Sequence, residues 1–162
     1  MTATTPEKSP HIKVWWEDVD VGQVLDLGSL SPTAEEIVAF ATQFDPQPFH
    51  LSEEAGQASV FGGLCASGWH TCSLAMRLMV TNFLHQSSSL GSPGLENIRW
   101  LKPVFPGDTL SLRQTVLEKR PMSKRPDVGL LRTKWEMFNQ RGDQVLHMEG
   151  YGMFRRRSPQ TL

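Results

Sequence analysis

Ser67-Gly68-Trp69-His70-Thr71-Cys72-Ser73-Leu74-Ala75-Met76-Arg77-Leu78-Met79-Val80-Thr81-Asn82-Phe83-Leu84-His85-Gln86 is the stretch that decides the architecture. Its spacing predicts a helix over about Trp69 to Gln86, opened by Ser67-Gly68. Apolar side chains at Trp69, Cys72, Leu74, Met76, Leu78, Met79, Val80 and Phe83 occupy most sides of that helix. A helix apolar nearly all round has to be wrapped by other structure. His70, Arg77 and Asn82 interrupt it, so it falls short of a membrane span.

The wrapping has to come from the C-terminal half of the chain. After a Ser/Gly/Pro stretch over 87–94, read as a loop, the pattern turns to strands at 98–104, 109–117, 128–138 and 144–154. Pro106-Gly107-Asp108 marks one turn, and Asn139-Gln140-Arg141-Gly142-Asp143 a hairpin connection. Upstream, 14–30 reads as extended. Thr33-Ala34-Glu35-Glu36 is a capping box that starts a second helix, with Ile37, Phe40, Ala41 and Phe44 as its stripe. Pro46 and Pro48 end that helix, since proline supplies no N–H and keeps its predecessor out of helical geometry. A short helix over 52–58 comes next. Strands after a buried helix make an α+β fold, an antiparallel sheet curled round one helix. The expected organisation is one domain over 14–157, with polar tails at 1–13 and 158–162.

Bulk properties narrow the function classes. The formal net charge of -1 leaves no field to hold a phosphate backbone, so no nucleic-acid partner is expected. Cys65 and Cys72 are too few and too widely spaced for a disulfide framework or a C-x-x-C site, and read as small hydrophobes in a reducing compartment. The first ten residues lack an apolar core segment and do not read as a signal peptide. The chain is therefore expected to be cytoplasmic, with no membrane partner.

Phe44-Asp45-Pro46-Gln47-Pro48-Phe49-His50 carries the chemistry. A carboxylate and an imidazole are held five apart by a stiff Pro-x-Pro segment, which suits general acid–base work. The bland alternative is a turn-capping Asp and a surface His. Phe61-Gly62-Gly63-Leu64-Cys65-Ala66-Ser67-Gly68-Trp69 is the second candidate. Its small residues let a ligand approach the backbone where the long helix begins, and unpaired N–H groups there suit an oxyanion. Phosphate is the rival ligand, without a Walker lysine or G-x-G-x-x-G to support it. Tight packing is the structural alternative. His70 beside His50 lacks a third ligand, so no metal is expected. Lys119, Arg120, Lys124 and Arg125 form a basic cluster suited to coenzyme A phosphates or to a solvated face. Arg155-Arg156-Arg157 is equally open. Ser67 lacks the G-x-S-x-G context of a nucleophile.

Taken in order, Asp45 and His50, Phe61-Gly62-Gly63, Ser67-Gly68-Trp69-His70, Arg99-Trp100-Leu101-Lys102-Pro103-Val104 and Pro106-Gly107-Asp108 resemble the MaoC-like dehydratases, whose best-known members are (R)-specific enoyl-CoA hydratases. The resemblance spans about 15–155. It implies a hotdog fold, a homodimer or higher homo-oligomer joined edge to edge, and an acyl-CoA or acyl-carrier-protein thioester as substrate, with no cofactor. It makes Asp45 the base on a water, His50 the group that holds that water and helps protonate the alpha carbon, and Gly68 N–H the donor to the thioester carbonyl. Gly63, Ser67, Trp69, Met76, Lys124 and Arg125 are the residues expected to bind substrate. Ser67 stands where the hydratases carry His, Met76 where they carry Ser, and Gln47 where Asn is common, which bears on the substrate more than on the reaction. A hotdog thioesterase is the alternative enzyme, disfavoured because the long helix offers no carboxylate. A non-catalytic thioester binder is the third reading.

Overall fold

The computed structural model describes residues 11–158. In chain order its elements are β1 (Val24–Leu30), α1 (Ala34–Phe44), α2 (Glu53–Gln57), α3 (Gly68–Asn82), β2 (Ser89–Trp100), β3 (Leu110–Met122), β4 (Arg125–Phe138) and β5 (Gln144–Arg155). The five strands form one antiparallel sheet in the order β1-β3-β4-β5-β2, curled round α3. This is the hotdog arrangement that the helix-then-strands pattern called for.

Local chemistry sets the helix ends. Thr33 Oγ1 accepts from Glu36 N at 3.1 Å, while Glu36 Oε2 accepts from Thr33 N at 2.9 Å, so the capping box that opens α1 is closed on both sides. Ser52 caps α2 by accepting from Ala55 N. At 139–143, Asn139 Oδ1 accepts from the backbone of Arg141 and Asp143, and Gly142 supplies the positive φ of 79° that closes the hairpin.

The core lies between α3 and the concave face of the sheet. Leu74, Ala75, Leu78 and Met79 pack there against Leu112, Met137, Leu146 and Met148. Their alternation along β3 is the period-2 pattern that the strands show in sequence. No described helix is long and apolar enough to cross a membrane.

Several boundaries differ from the sequence expectation, with β3 running on to Met122 and β4 starting at Arg125. The helix stops at Asn82 rather than Gln86, because Phe83 turns inward to pack on Phe154 and Leu84–Gln86 tighten into a 3-10 turn. The stretch over 87–94, read as a loop, belongs largely to β2: pairing with β5 carries the chain through irregularities at Gly91 and Gly94, and Pro93 fits because β2 is an edge strand. At its other end β2 stops at Trp100, so 101–104 is irregular. The expected tails fall mostly on residues 1–10 and 159–162, outside the described residues; Lys13 and Val14 already bond to Gln86 O.

Nor is α3 wrapped on all sides by its own chain. Trp69, Met76 and Val80 remain 57%, 49% and 42% exposed; Trp69 packs edge-on against the exposed Trp100 of β2, and Met76 shares a cavity wall with the exposed Leu95. A sheet of five strands covers one face of the helix and leaves this stripe open.

The loop before α3 is held by a close backbone contact. A Cβ on Gly56 of α2 would meet the carbonyl carbon of Gly63 at 2.3 Å, so only glycine fits. Gly56→Ala is expected to destabilise the protein by about 1–3 kcal/mol, the usual range for overpacking, read as a lowered urea midpoint. An unchanged midpoint would show that the contact is slack.

Candidate active site

Asp45 is the C-terminal cap of α1, its N–H bonded to Ala41 O. Pro46 cannot continue the helix, and Pro48 is preset for the single 3-10 turn Pro48–His50 just beyond it. That turn swings His50 back towards Asp45. His50 Nε2 lies 3.4 Å from Asp45 Oδ2, with the side chains 7% and 18% exposed.

On the other side of the ring, His50 Nδ1 is 2.6 Å from the carbonyl oxygen of Cys65. A carbonyl only accepts, so Nδ1 carries a hydrogen and the neutral ring presents a lone pair at Nε2. Gln47 Nε2 donates to Asp45 Oδ1 at 2.7 Å. Burial works against the charge on Asp45, but the hydrogen bond from Gln47, with the Ser67 hydroxyl and His50 close by, outweighs it, and its pKa lies below the ordinary aspartate range. The carboxylate is thus ionised, and with the imidazole in its neutral form two acceptors stand side by side. A water donating one hydrogen to each satisfies both and turns its lone pairs outward.

The two side chains look into a cavity of about 430 Å³ bounded by Phe49, Phe61, Gly68, Trp69, Trp100 and Leu101 among others. Gly68 and Trp69 form the first turn of α3. The Ser67 side chain is fully buried and does not cap that turn, so the first N–H groups of the helix are left without a side-chain partner at the cavity wall. Trp100 Nε1 donates to Gly68 O at 2.8 Å, and a Cβ on Gly68 would meet the indole at 2.6 Å. Glycine at 68 is therefore required by Trp100 as well as by any ligand.

The sequence profile of the MaoC like domain matches residues 16–134. The chain belongs to the MaoC-like family. A MaoC-like dehydratase from Rhodospirillum rubrum is 41% identical and superposes with a TM-score of 0.83, covering 90% of this chain and 99% of that one. The R-hydratase PhaJ1 from Pseudomonas aeruginosa is 25% identical with a TM-score of 0.72, covering 89% and 87%. YdeM, an uncharacterized protein of Bacillus subtilis, is 30% identical over 133 residues, 82% of this chain and 93% of that one. This is a family of hydratases and dehydratases on the hotdog fold.

The MaoC-like chain brings Asp45, His50, Gly68 and Trp69 together round one cavity, with Ser67 buried behind. Gly63 lies outside its lining, packed against Glu53 and Phe105, where it shapes the loop. Met76, two turns along α3, lines a separate apolar cavity. Lys124 and Arg125 sit at the β3–β4 hairpin, the opposite end of the sheet from Trp100 and Gly68. Strands of this length span about 40 Å, so the chain's own hairpin does not reach its own cavity. Arg125 instead grips Asp127 at 2.9 and 2.7 Å, and Lys119 lies over the Trp16 ring and donates to Val19 O.

His70 stacks on Phe40, ring centroids 4.7 Å apart, and burial lowers its pKa. Among the described residues no three His, Cys, Asp or Glu side chains cluster to hold a metal. Cys65 is buried beside His50, and burial pushes its thiol up to about 11, so it stays protonated. Two contributors escaped the sequence reading. The Cys65 carbonyl that locks His50 is backbone and leaves no residue-type signal. The hydrogen bond from Trp100 to Gly68 joins positions 32 apart.

Since the Asp45 pKa is depressed on folding, its stabilising contribution is present above the unfolded-state value and is lost as pH falls through the folded one. Gln47→Leu is expected to raise the Asp45 pKa and shift that acid limit upward, read by carbon-13 titration of the carboxyl. An Asp45 titration unaltered by the substitution would remove Gln47 from the account.

Proposed function

We propose that this chain adds water across the 2,3 double bond of an enoyl-CoA, or removes it from the (R)-3-hydroxyacyl-CoA. The observation that carries the reading is the Asp45–His50 pair, two hydrogen-bond acceptors 3.4 Å apart with the imidazole tautomer locked from behind. A single water satisfies that arrangement, and a nucleophilic water is what hydration requires.

In the hydration direction the water oxygen bonds to C3 while Asp45, the base, draws off one of its protons. The electron pair of the double bond moves towards the thioester oxygen, where Gly68 N–H at the start of α3 stabilises the enolate-like charge. His50 accepts the water's other hydrogen at Nε2 and so holds the oxygen for attack, and the proton taken up by Asp45 is passed to C2 on the same face. One proton leaves the water and one arrives at C2, so the sum is the addition of H₂O. Asp45 and His50 stand on the same side of the cavity as the water they hold, which supports syn addition; the likeness to an R-hydratase supports the R product. Lys102 is the one cation among the described residues on the cavity wall, and a coenzyme A phosphate there would take it from its ion pair with Asp143, 3.0 Å long.

A thioesterase needs a carboxylate or other nucleophile at the carbonyl. The long helix carries no Asp or Glu, and Asp45 is the only acidic side chain among those lining the cavity. The exposed stripe of Trp69, Met76 and Val80 beside the unpaired edge of β2 supports a homodimer in which a second copy covers both.

Asp45→Asn and His50→Ala are each expected to lower the rate of absorbance loss from crotonyl-CoA or octenoyl-CoA roughly 10²–10⁴-fold, without release of free thiol. Full rates in both variants would dismiss the pair; thiol release by the unaltered protein would favour the thioesterase. Leu95→Arg is expected to convert a particle of twice the chain mass to the single chain in light scattering, and a monomeric unaltered protein would refute the dimer.

A further inference from the structure

A second cavity, of about 260 Å³, lies deeper between α3 and the sheet. Cys72, Met76 and Met79 of the helix face Leu131, Met148 and Phe154 of the sheet across it. It continues the line of the first. Gly68 and Thr71 line the first cavity, and Cys72 and Met76 the apolar one, so the two adjoin along α3. At 1.5 Å per helical residue, Met76 lies about 12 Å along α3 from the Gly68 N–H that faces the thioester.

Two of the polar side chains lining this cavity are buried and at most partly satisfied by the protein. Gln114 and Thr133 are 3% and 5% exposed. Trp135 Nε1 donates to Gln114 Oε1 at 3.0 Å. An indole N–H can only donate, so the amide cannot be flipped, and its NH₂ is directed away from Trp135. Neither that NH₂ nor the Thr133 hydroxyl has a hydrogen-bond partner among the described residues, although both residues line the cavity. Buried donors left so are costly unless something arrives to accept from them.

The sheet register places them. Leu112, Met137, Leu146 and Trp100 form one row across the sheet, at the level of Gly68. Gln114 and Trp135 occupy the next row on the same face, and Val116 and Thr133 the one after. At about 3.4 Å per residue these rows lie roughly 7 and 14 Å beyond Trp100. Gln114 and Thr133 are diagonal neighbours on adjacent strands, close enough to address one atom between them.

Resting on the hydratase reading, the geometry points to a substrate whose acyl chain carries a neutral oxygen, a keto or hydroxyl group, towards its far end, held by Gln114 and Thr133. The oxygen is neutral because the cavity lining contains no lysine, arginine or histidine. A carboxylate there would be buried without a counter-charge. A plain alkyl chain fills the same space but leaves both donors unmet.

The test separates binding from turnover. Calorimetry compares saturated octanoyl-CoA, the same thioester with a keto group near the far end, and the corresponding terminal carboxylate. The expected order is keto, then plain, then carboxylate, with keto favoured over plain about 3- to 10-fold, the worth of one or two neutral hydrogen bonds. Gln114→Met and the near-isosteric Thr133→Val are each expected to bring the keto-to-plain ratio towards one. Equal affinity in the unaltered protein would mean that a water serves the two donors, and would overturn the inference. So would preference for the carboxylate, or variants that weaken keto and plain thioesters in proportion, the mark of a merely structural role. Hydration of octenoyl-CoA is measured separately: turnover without keto preference would sink this inference and spare the reaction, and keto preference without turnover the reverse.

Discussion

The bond between His50 Nδ1 and the Cys65 carbonyl, 2.6 Å long, joins the two segments on which the site depends. One is the proline-stiffened turn after α1, which presents Asp45 and His50. The other is the buried stretch Leu64–Ser67, which leads into α3 and sets Gly68 at the cavity wall. Without that bond the imidazole could rotate or change tautomer, and the lone pair at Nε2 would no longer face Asp45. A single backbone acceptor thus sets the protonation pattern of the pair and its position relative to the helix start.

That carbonyl is itself held by packing. Ala66 N bonds to Val104 O, Cys65 N to Phe49 O, and Leu64 N to Glu53 Oε2. Gly56 lets α2 lie directly against Gly63. The loop is irregular, yet its backbone groups are tied on both sides and its residues from Gly63 to Ser67 are buried. Rigidity of this kind suits the acid–base role proposed for Asp45 and His50, since small displacements of reacting groups cost much of the rate. It also explains why Gly63, which looks like a ligand-approach glycine in sequence, works here as packing.

The sheet and α3 divide the remaining labour. The end of α3 at Gly68 faces the reactive pair, while its next two turns roof an apolar space over the concave face. The same helix leaves Trp69, Met76 and Val80 uncovered. A helix apolar on nearly every side and a sheet wide enough for only one of them account for a core, a cavity and an exposed stripe at once. The stripe lies beside an edge strand interrupted by glycines and a proline, where pairing with another strand is left open.

Much of this was legible in the residues themselves. The capping box at Thr33, the prolines after Asp45, the period-2 alternation of β3 and the apolar run of α3 are local signals, each written within a few positions, and they specify an α+β wrap with an acid–base pair at a helix end. What they could not specify were contacts between distant positions. The Cys65 carbonyl that orients His50, the Trp100 indole on Gly68, and the Gln114 amide pinned by Trp135 all arise when segments 15 to 32 residues apart are brought together. The place of the basic residues at 124 and 125 was hidden for the same reason: their charge is visible in sequence, but only the length and register of β3 and β4 send them to the far end of the sheet. Residue type determined what each group can do chemically, and the fold decided which groups meet.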